Sequence, residues 1–227
     1  MVSQRRTADG PTASTERSRM KAERRTNLVD AAAVLVAERG YHGLRLEDLG
    51  AAVGISGPAV YRHFPNKEAV LVELLVGISE YLHSGGAAVV AAGTPSSLET
   101  LRALVDFHLD FALTSPRLIE IQFRDLANLP ADAQRTVRSL QRRYIEIWVR
   151  TLREIDPDRT EDDARVQAHA AFGLLNSTPQ SVGRVSITLL RRRLSRMVLR
   201  ALEIDDLPVT TTPPVTTSQF TSSEESA

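Results

Sequence analysis

Hydrogen-bond donors cluster near residue 61, directly after a segment that contains two glycines and a proline. The segment is Gly54-Ile55-Ser56-Gly57-Pro58-Ala59-Val60, and Tyr61-Arg62-His63-Phe64-Pro65-Asn66-Lys67 follows it. Tyrosine and histidine side chains can donate to phosphate oxygens, and arginine and lysine add a positive charge. This combination favours a surface that holds a sugar-phosphate backbone, with Val60 and Phe64 facing the core. The alternative is a solvated helix end that buries one aromatic side chain.

The surrounding pattern predicts the short helices that would present these donors. A helical period of apolar residues runs from Leu46 to Val53, and Gly54 can take the unusual backbone angle that a tight turn requires. Ser56 can cap a third helix, and Pro58 is tolerated in its first turn. Two short helices joined by a glycine turn are typical of a helix-turn-helix, whose second helix enters the major groove of DNA.

The rest of the chain shows helical periods and no convincing strand alternation, so the sequence predicts an all-α protein of about nine helices. The first helix is expected to end near Arg39-Gly40, and the fourth to run from Asn66 to a stop at His83-Ser84-Gly85-Gly86. The predicted divisions are a flexible basic arm at 1–18, a helix-turn-helix domain with its linking helix at 19–84, a second helical domain at 85–204, and a disordered tail at 205–227.

Composition limits the classes of function that the chain can have. It has 227 residues and no cysteine, so disulfides and thiolate metal sites are excluded, as suits a reducing cytoplasm. Lysine and arginine total 28, aspartate and glutamate also total 28, and this balance argues against a broadly basic coat for nucleic acid. The sequence shows neither a signal-peptide pattern nor an apolar run of the roughly 18 residues that a membrane span needs. We therefore expect no membrane partner and no metal or other cofactor.

Three alternative classes of function have weaker support. An enzyme is disfavoured because no phosphate-binding glycine loop, nucleophile elbow or His-Glu-x-x-His is present, and the histidines show no metal-ligand spacing. An architectural DNA-binding protein would not need a large neutral helical domain. A small-molecule carrier with a degenerate DNA-binding domain is the third alternative, and the intact Tyr61, His63 and Lys67 count against it.

The stretch from about Arg24 to Leu75 closely resembles the DNA-binding domain of TetR-family transcriptional repressors, while the remainder matches that family only in its helical architecture. The resemblance implies a homodimer that binds a palindromic operator on double-stranded DNA, and a second domain that binds a small inducer. The matching segments are Ala33 to Glu38-Arg39-Gly40-Tyr41, Leu49-Gly50-Ala51-Ala52-Val53-Gly54-Ile55-Ser56, and Tyr61-Arg62-His63-Phe64-Pro65-Asn66-Lys67-Glu68.

The resemblance also implies contacts to DNA. Tyr61 and Lys67 occupy usual phosphate-contact positions of the family, as does His63, and Arg62 occupies a variable position that can reach the groove. Two residues depart from the family pattern. Arg45 stands where a threonine usually caps the second helix, although it can still bind phosphate, and Gly50 replaces a common alanine at a cost of about 1 kcal/mol. The predicted DNA contacts are Arg45, Ser56, Gly57, Pro58, Ala59, Tyr61, Arg62, His63 and Lys67.

In the second domain, the resemblance implies a ligand pocket among helices five to eight. We expect a hydrophobic small-molecule effector with a polar head, either a lipid-like acyl compound or an aromatic molecule. For each aromatic side chain, and for the histidine in an apolar stripe, a plain place in the core is the alternative. The predicted ligand contacts are Leu104, Phe107, His108, Phe111, Phe123, Arg124, Trp148, Phe172 and Asn176.

Helices eight and nine are expected to form the dimer interface. The eighth carries a small-residue face, Ala164-Ala168-Ala171, that permits close helix packing, and the ninth has an apolar face beside the arginines 191–193. Completion of a monomer core is the alternative for both helices. Ligand binding is expected to tilt the fourth helix, so that the two recognition helices no longer match successive major grooves and the repressor leaves its operator.

Overall fold

The computed structural model describes residues 13–204 of the chain, with side chains from residue 16 onward. Within this range nine α-helices form, and the extended pairing is limited to one isolated bridge between Val182 and Val185, which confirms the all-α prediction there. The helices are α1 (Ala13–Gly43), α2 (Leu46–Ala52), α3 (Gly57–Tyr61), α4 (Lys67–Ala91), α5 (Ser97–Thr114), α6 (Pro116–Asp125), α7 (Ala131–Ile155), α8 (Glu161–Leu175) and α9 (Ile187–Ala201), with 3-10 turns at Leu126–Asn128 and Thr178–Gln180.

The predicted arm and tail fall largely beyond this range. Residues 1–12 of the arm and residues 205–227 of the tail lie outside the described residues. Residues 13–18, which the sequence assigned to the arm, belong to α1.

The turn between α2 and α3 has the geometry that the sequence predicts. α1 is interrupted at Gly40, whose φ of 72° and ψ of 164° are not helical, as expected for a helix end at this point. Gly54 adopts a φ of 71° after α2, a conformation in which a side chain is strained. At Gly50 an added Cβ would lie 2.7 Å from the Ile55 carbonyl oxygen. The glycine that lowers helix propensity therefore lets the turn fold back closely onto α2.

One arginine and a small apolar core hold the helix-turn-helix unit together. Val60 and Phe64 are fully buried, as predicted, and burial of a phenylalanine side chain contributes about 1.5–3 kcal/mol. The Arg25 guanidinium carbon lies 4.2 Å from the centre of the Phe64 ring, and Arg25 Nε donates to Glu73 of α4 at 2.7 Å. Arg25 also donates to the carbonyl oxygen of His63. Arg25 of α1 therefore links the residues that follow α3 to α4.

α4 extends further than the sequence indicates. It runs from Lys67 to Ala91 without interruption, so the predicted stop at residues 83–86 is wrong. Gly85 and Gly86 instead make space for neighbouring helices. An added Cβ would lie 2.1 Å from the ring of Phe107 on α5 at the first position, and 2.4 Å from the ring of Tyr144 on α7 at the second. The domain boundary at residue 85 stays a prediction, and α4 crosses it unbroken.

α4 is also the one helix, within the described range, whose length and composition would suffice to cross a membrane. Its most apolar window has a mean hydropathy of 1.3, although Glu73 and Glu80 interrupt the apolar run. The buried stripe of α4 includes Leu71, Leu75 and Ile78, and the helix contacts α1, α5 and α7. These contacts are those of the central helix of a bundle.

Side-chain caps mark the starts of α5, α8 and α9. The hydroxyls of Ser96, Thr160 and Ser186 each accept a hydrogen bond of 3.2 Å from the backbone N–H three residues further on. Thr160 also donates to the Asp163 carboxylate at 2.6 Å, so the two side chains form a local capping arrangement at the start of α8. Such caps satisfy backbone donors that a helix start would otherwise leave unpaired.

The alanine face of α8 serves the core of the single chain. Ala164, Ala168 and Ala171 are fully buried where α8 packs against α7 and α9. The prediction that this face lies at a dimer interface is therefore wrong, because the small side chains are already used within one chain.

Candidate nucleic-acid interface and ligand cavity

The start of α3 forms an exposed edge of the helix-turn-helix unit. Ser56 occupies the N-cap position, but its hydroxyl makes no capping hydrogen bond. Pro58 lies in the first turn and is exposed, and Gly57 and Ala59 are partly exposed beside it. Small side chains and an uncommitted hydroxyl allow the groove of a nucleic acid to approach this edge closely.

Tyr61, at the end of α3, is paired with an acid. Its side chain is about half exposed, and its hydroxyl donates to Glu47 Oε1 of α2 at 3.3 Å. The negative charge of Glu47 raises the pKa of Tyr61, so the phenol stays protonated and remains a donor. Glu47 is the residue on this surface that sequence reasoning missed, although its place in the first turn of α2 is visible in the sequence.

His63 lies in a strongly basic environment. Partial burial lowers its pKa, and the positive charges of Lys21, Arg25, Arg24 and Arg62 lower the pKa further. Its Nδ1 is buried and has no hydrogen-bond partner. The imidazole is thus held neutral among cations, an arrangement that an arriving anion would relieve.

Lys67 has an additional role within the chain. Its Nζ donates to the carbonyl oxygens of His42 at 3.1 Å and Tyr41 at 3.5 Å, and it lies 4.8 Å from the centre of the Tyr41 ring. The ammonium stabilises the carboxyl end of α1, where the helix dipole favours a cation. Because an ammonium has three donors, a phosphate contact remains compatible with these two bonds. Arg45 is exposed at the N-cap position of α2 and makes no side-chain cap, as predicted.

A cavity of about 310 Å³ lies among α4, α5, α6, α7 and α8. This volume is at the lower end of the range for small-molecule sites. Of the predicted ligand contacts, it brings together His108, Phe123, Phe172 and Asn176. Phe123 is 74 % exposed although it lines the cavity, so its side chain marks the mouth. The other lining residues are Ser79, Leu82, Gln122, Leu126, Gln141, Tyr144, Ile145 and His169.

Two buried side chains, His108 and Tyr144, and the partly buried Asn176 form a connected chain in the cavity wall. His108 lies 3.3 Å from the Tyr144 hydroxyl through Nδ1 and 3.1 Å from Asn176 Oδ1 through Nε2. Because Oδ1 can only accept, Nε2 carries the proton, and Nδ1 accepts from the tyrosine hydroxyl. Burial lowers the pKa of His108 to about 4, although the hydrogen bond to Asn176 opposes this shift. The imidazole is therefore neutral, and its tautomer is fixed.

The remaining predicted ligand contacts do not line this cavity. Leu104 and Trp148 are fully buried in the core, and Trp148 packs against Phe172 with ring centres 4.8 Å apart. Phe107 packs on α4 beside Tyr81, and Phe111 lines a different cleft. Arg124 Nη2 donates to the carbonyl oxygen of Val36 at 2.6 Å, so this side chain joins α6 to α1. The ligand contacts predicted for these five residues stay predictions.

Sequence reasoning missed the polar residues of α4, α6 and α7 in the cavity wall. Gln122 Nε2 donates to Ser79 Oγ at 3.2 Å, and Ser79 donates in turn to the carbonyl oxygen of Leu75 at 2.9 Å. A serine that occupies a buried position in an apolar helix stripe is a signal that could have located this wall. Tyr144 was missed as well, because it lies on the buried stripe of α7, where an aromatic residue is typical of a core.

A wider cleft of about 680 Å³ lies where α1, α4 and the start of α6 meet. Its wall contains the charged residues Asp30, Glu73 and Arg117, of which Glu73 is already paired with Arg25. The wall of the wider cleft also includes the buried apolar residues Leu74, Ile78 and Phe111, beside the exposed charges of Asp30 and Arg117. We favour the smaller cavity as the ligand site because its wall contains a connected chain of polar side chains.

α8 and α9 leave large apolar side chains in water. Val166 of α8 is 69 % exposed, and Ile187 and Met197 of α9 are 53 % and 49 % exposed. Among the arginines 191–193, Arg191 forms an ion pair with Asp110 of α5. Exposed apolar side chains on neighbouring helices are typical of a surface that associates with another protein chain.

The helix-turn-helix unit with an exposed recognition edge, joined by one long helix to a helical domain with an internal cavity, is the architecture of a ligand-responsive DNA-binding regulator. Two sequence families match the chain: "Bacterial regulatory proteins, tetR family" over residues 28–74, and "Tetracyclin repressor-like, C-terminal domain" over residues 94–202. Together the two matches span more than half of the chain. The chain belongs to the TetR family of bacterial regulatory proteins.

Individual relatives agree with this assignment. The HTH-type transcriptional repressor KstR2 of Rhodococcus jostii is 34 % identical over 133 residues, which are 58 % of this chain and 65 % of that protein. The chain thus spans just under two thirds of the length of this curated relative. A TetR-family transcriptional regulator from Bordetella parapertussis matches with a TM-score of 0.68 and 26 % identity over 77 % of this chain and 93 % of that chain. The transcriptional regulator FadR of Bacillus subtilis, solved in complex with stearoyl-CoA, shares the fold with a TM-score of 0.62 and 16 % identity over 78 % of this chain and 98 % of that chain.

Proposed function

We propose that the protein is a cytoplasmic, homodimeric transcriptional repressor that leaves a palindromic operator when a hydrophobic small molecule enters the cavity. The observation that carries this proposal is the pairing of two sites in one chain. A helix-turn-helix exposes the start of α3, and a cavity with a hydrogen-bonded polar wall lies in the attached helical domain.

In this proposal the start of α3 enters the major groove. Tyr61, Arg62 and Lys67 contact the flanking phosphates, His63 accepts a proton as it meets a phosphate, and Arg45 approaches the backbone from α2. Base recognition by Gly57 is limited because it has no side chain. The apolar Pro58 and Ala59 fit against a thymine methyl group, and the long side chain of Arg62 can reach base edges.

A dimer supplies the second recognition helix. We propose that the exposed apolar residues of α8 and α9, including Val166 and Met197, pair with the same surface of a second chain to form a four-helix interface. The two α3 helices would then lie about 34–36 Å apart, which is the spacing of successive major grooves on one side of DNA.

α6 offers a direct route for coupling between the two sites. Gln122 and Phe123 line the cavity, and the next residue, Arg124, donates to the carbonyl oxygen of Val36 in α1. α4 offers a second route, because Ser79 and Leu82 line the cavity on the helix that starts at Lys67. A ligand that shifts α6 or α4 would change the position of α3 in each subunit, and the spacing of the pair would no longer fit the operator.

Both effector classes expected from the sequence, acyl compounds and aromatic molecules, fit a cavity whose wall contains Phe123, Phe172, Leu82 and Ile145. FadR of Bacillus subtilis, which shares the fold, was solved with stearoyl-CoA, and this supports an acyl compound as one class to test.

Selection of genomic DNA fragments on the purified protein, followed by sequencing, tests the proposal. Recovery of a shared palindrome is the expected result, and the neighbouring genes would direct the choice of effectors. Enrichment that depends on salt but contains no shared motif would refute a specific regulator and favour an architectural role. Absence of enrichment from ligand-free, refolded protein would favour a carrier that no longer binds DNA.

A further inference from the structure

The wall of the cavity, as far as the structure describes it, contains no permanently charged side chain. Its lining, taken over the described residues, contains no aspartate, glutamate, lysine or arginine side chain. The titratable lining groups are His108, Tyr144 and His169. His108 is neutral because it is buried between two uncharged partners, and burial also raises the pKa of Tyr144, so that phenol stays protonated. A ligand inside would therefore meet no opposite charge from the buried part of the wall.

An ionised group inside such a cavity is strongly disfavoured. A carboxylate that leaves water without meeting a cation loses its hydration and gains no ion pair. His169 could offer a charge only at the mouth, because its residue is exposed to solvent. Because the described wall contains no buried cation, we expect the cavity to bind a neutral ligand more tightly than an anionic ligand of the same shape.

The hydrogen-bond chain in the wall also determines which polar groups remain for a ligand. Tyr144 donates to His108 Nδ1, and His108 Nε2 donates to Asn176 Oδ1. Asn176 has thereby used its oxygen as an acceptor, and neither N–H group of its amide is hydrogen-bonded within the described residues. Asn176 itself lines the cavity, so these two donors are left for a ligand. The hydrogen-bond chain therefore ends in free donors, which favour a ligand that carries a hydrogen-bond acceptor.

We propose that this cavity selects an effector that is uncharged inside the protein and presents an oxygen atom that accepts a hydrogen bond from the Asn176 amide. Ketones, esters, thioesters and amides have such an oxygen, whereas a free carboxylate is excluded. His108 acts as a positioning residue, because its fixed tautomer holds the Asn176 amide with its N–H groups free. The inference rests on the proposed function, since it describes the effector of that same cavity.

Two compact probes of equal size test the inference in the absence of DNA. They are 4-tert-butylcyclohexyl methyl ketone and 4-tert-butylcyclohexanecarboxylate, which differ in the exchange of a methyl group for a charged oxygen. The single tryptophan of the sequence, Trp148, reports occupancy through its fluorescence, because it packs on the cavity residue Phe172. We expect saturable binding of the ketone and at least tenfold weaker binding of the carboxylate at pH 8.

A variant of the amide tests which group holds the ligand. Asn176→Asp keeps an oxygen that accepts from His108 but replaces the two N–H donors with a second acceptor. We expect it to bind the ketone about tenfold or more weakly, since a donor is lost and a charge is added. Ser177→Ala changes the next residue, which does not line the cavity, and should leave ketone binding unchanged. Isothermal titration of both variants confirms the fluorescence result.

Several outcomes would overturn the inference. Equal affinity for the two probes would show that a cation reaches the ligand, and unchanged ketone affinity in Asn176→Asp would show that the amide does not donate to it. No fluorescence change with either probe at millimolar concentration would show that the cavity is not a site for neutral acceptors. A protein that binds the ketone selectively but recovers no operator contradicts the proposed regulator and leaves the inference intact. Recovery of an operator by a protein that does not bind the ketone selectively contradicts the inference and leaves the proposed regulator intact.

Discussion

Replacing Gly86 with alanine tests whether this residue is a packing position, as the structure indicates. An added Cβ would lie 2.4 Å from Tyr144 Cε2 and 2.9 Å from Cδ2, closer than two carbon atoms can approach without a shift. Tyr144 cannot swing into solvent, because it is 4 % exposed and stacks on His108 with ring centres 5.8 Å apart. The strain must therefore be taken up within the core, next to the cavity.

The magnitude follows from two opposing effects. Alanine in place of glycine in a helix interior stabilises by about 1 kcal/mol, whereas overpacking of a core destabilises by about 1–3 kcal/mol. Gly77 on the same helix is the matched control, because it is exposed and an added Cβ would meet no atom within 4 Å. We expect Gly77→Ala to stabilise the protein by about 1 kcal/mol and Gly86→Ala to be less stable than this control by about 1–3 kcal/mol.

Urea denaturation of both variants at one protein concentration measures the difference in the free energy of unfolding. In thermal unfolding, each kcal/mol corresponds to roughly 2–4 °C for a chain of this size. The emission of Trp148, whose ring centre is 6.3 Å from that of Tyr144, gives a second readout of ring displacement. Equal stability of the two variants, with unchanged tryptophan emission in Gly86→Ala, would refute the packing role and leave Gly86 without an assigned reason.

Four further substitutions test other parts of the structure. The pKa of His108 is about 4 in the folded chain and about 6.5 when unfolded, so the unfolded state takes up the proton first and stability falls as the pH falls from 6.5 to 4, by about 3 kcal/mol in all. His108→Gln should flatten that part of a stability-against-pH curve, and a curve as steep as that of the parent chain would contradict the assignment. Arg45→Ala should lower the slope of log affinity against log salt for any DNA by about one, while Tyr61→Phe should weaken binding with little change in slope, because a phenol releases no counterion. Glu47→Gln should strengthen binding to all DNA sequences, since it removes a negative charge and weakens the hydrogen bond that holds the Tyr61 hydroxyl, and weaker binding in a fluorescence anisotropy titration would show that the acid contributes to recognition.

The helix-turn-helix could be predicted from sequence because its signals are local. A positive φ at Gly54, a cap position at Ser56 and the inward Phe64 each follow from residue type within a few positions. The helix end predicted at Gly85 and Gly86 was wrong. Glycine marks both a helix end and a close helix contact, and only the rings of Phe107 and Tyr144, distant in sequence, decide between the two.

The cavity could be predicted only in part, for a related reason. His108, Phe123, Phe172 and Asn176 were found because aromatic and polar residues stand out within apolar stripes. The hydrogen-bond chain through Tyr144 was missed, because it joins residues 36 and 68 positions apart in sequence. Arg124 was predicted to contact the ligand as one of the few polar groups of this region, but it does not line the cavity. Its partner, the carbonyl oxygen of Val36, is a backbone atom that no residue type reveals.

The Arg124 contact determines how the two sites should communicate. If α6 transmits ligand binding to α1 through this hydrogen bond, then Arg124→Ala should still bind the recovered operator and its releasing ligand, but each should affect the other less. Linkage requires that the ligand weaken operator binding by the same factor by which the operator weakens ligand binding, commonly about 5–150-fold. We expect that factor to fall at least about fivefold in Arg124→Ala when both arms of the cycle are measured by calorimetric titration. Arg117→Ala, which removes an exposed arginine from the first turns of the same helix, should leave it unchanged. An unchanged factor in Arg124→Ala would show that this hydrogen bond does not carry the coupling, and would favour transmission through α4, which lines the cavity and packs against α1.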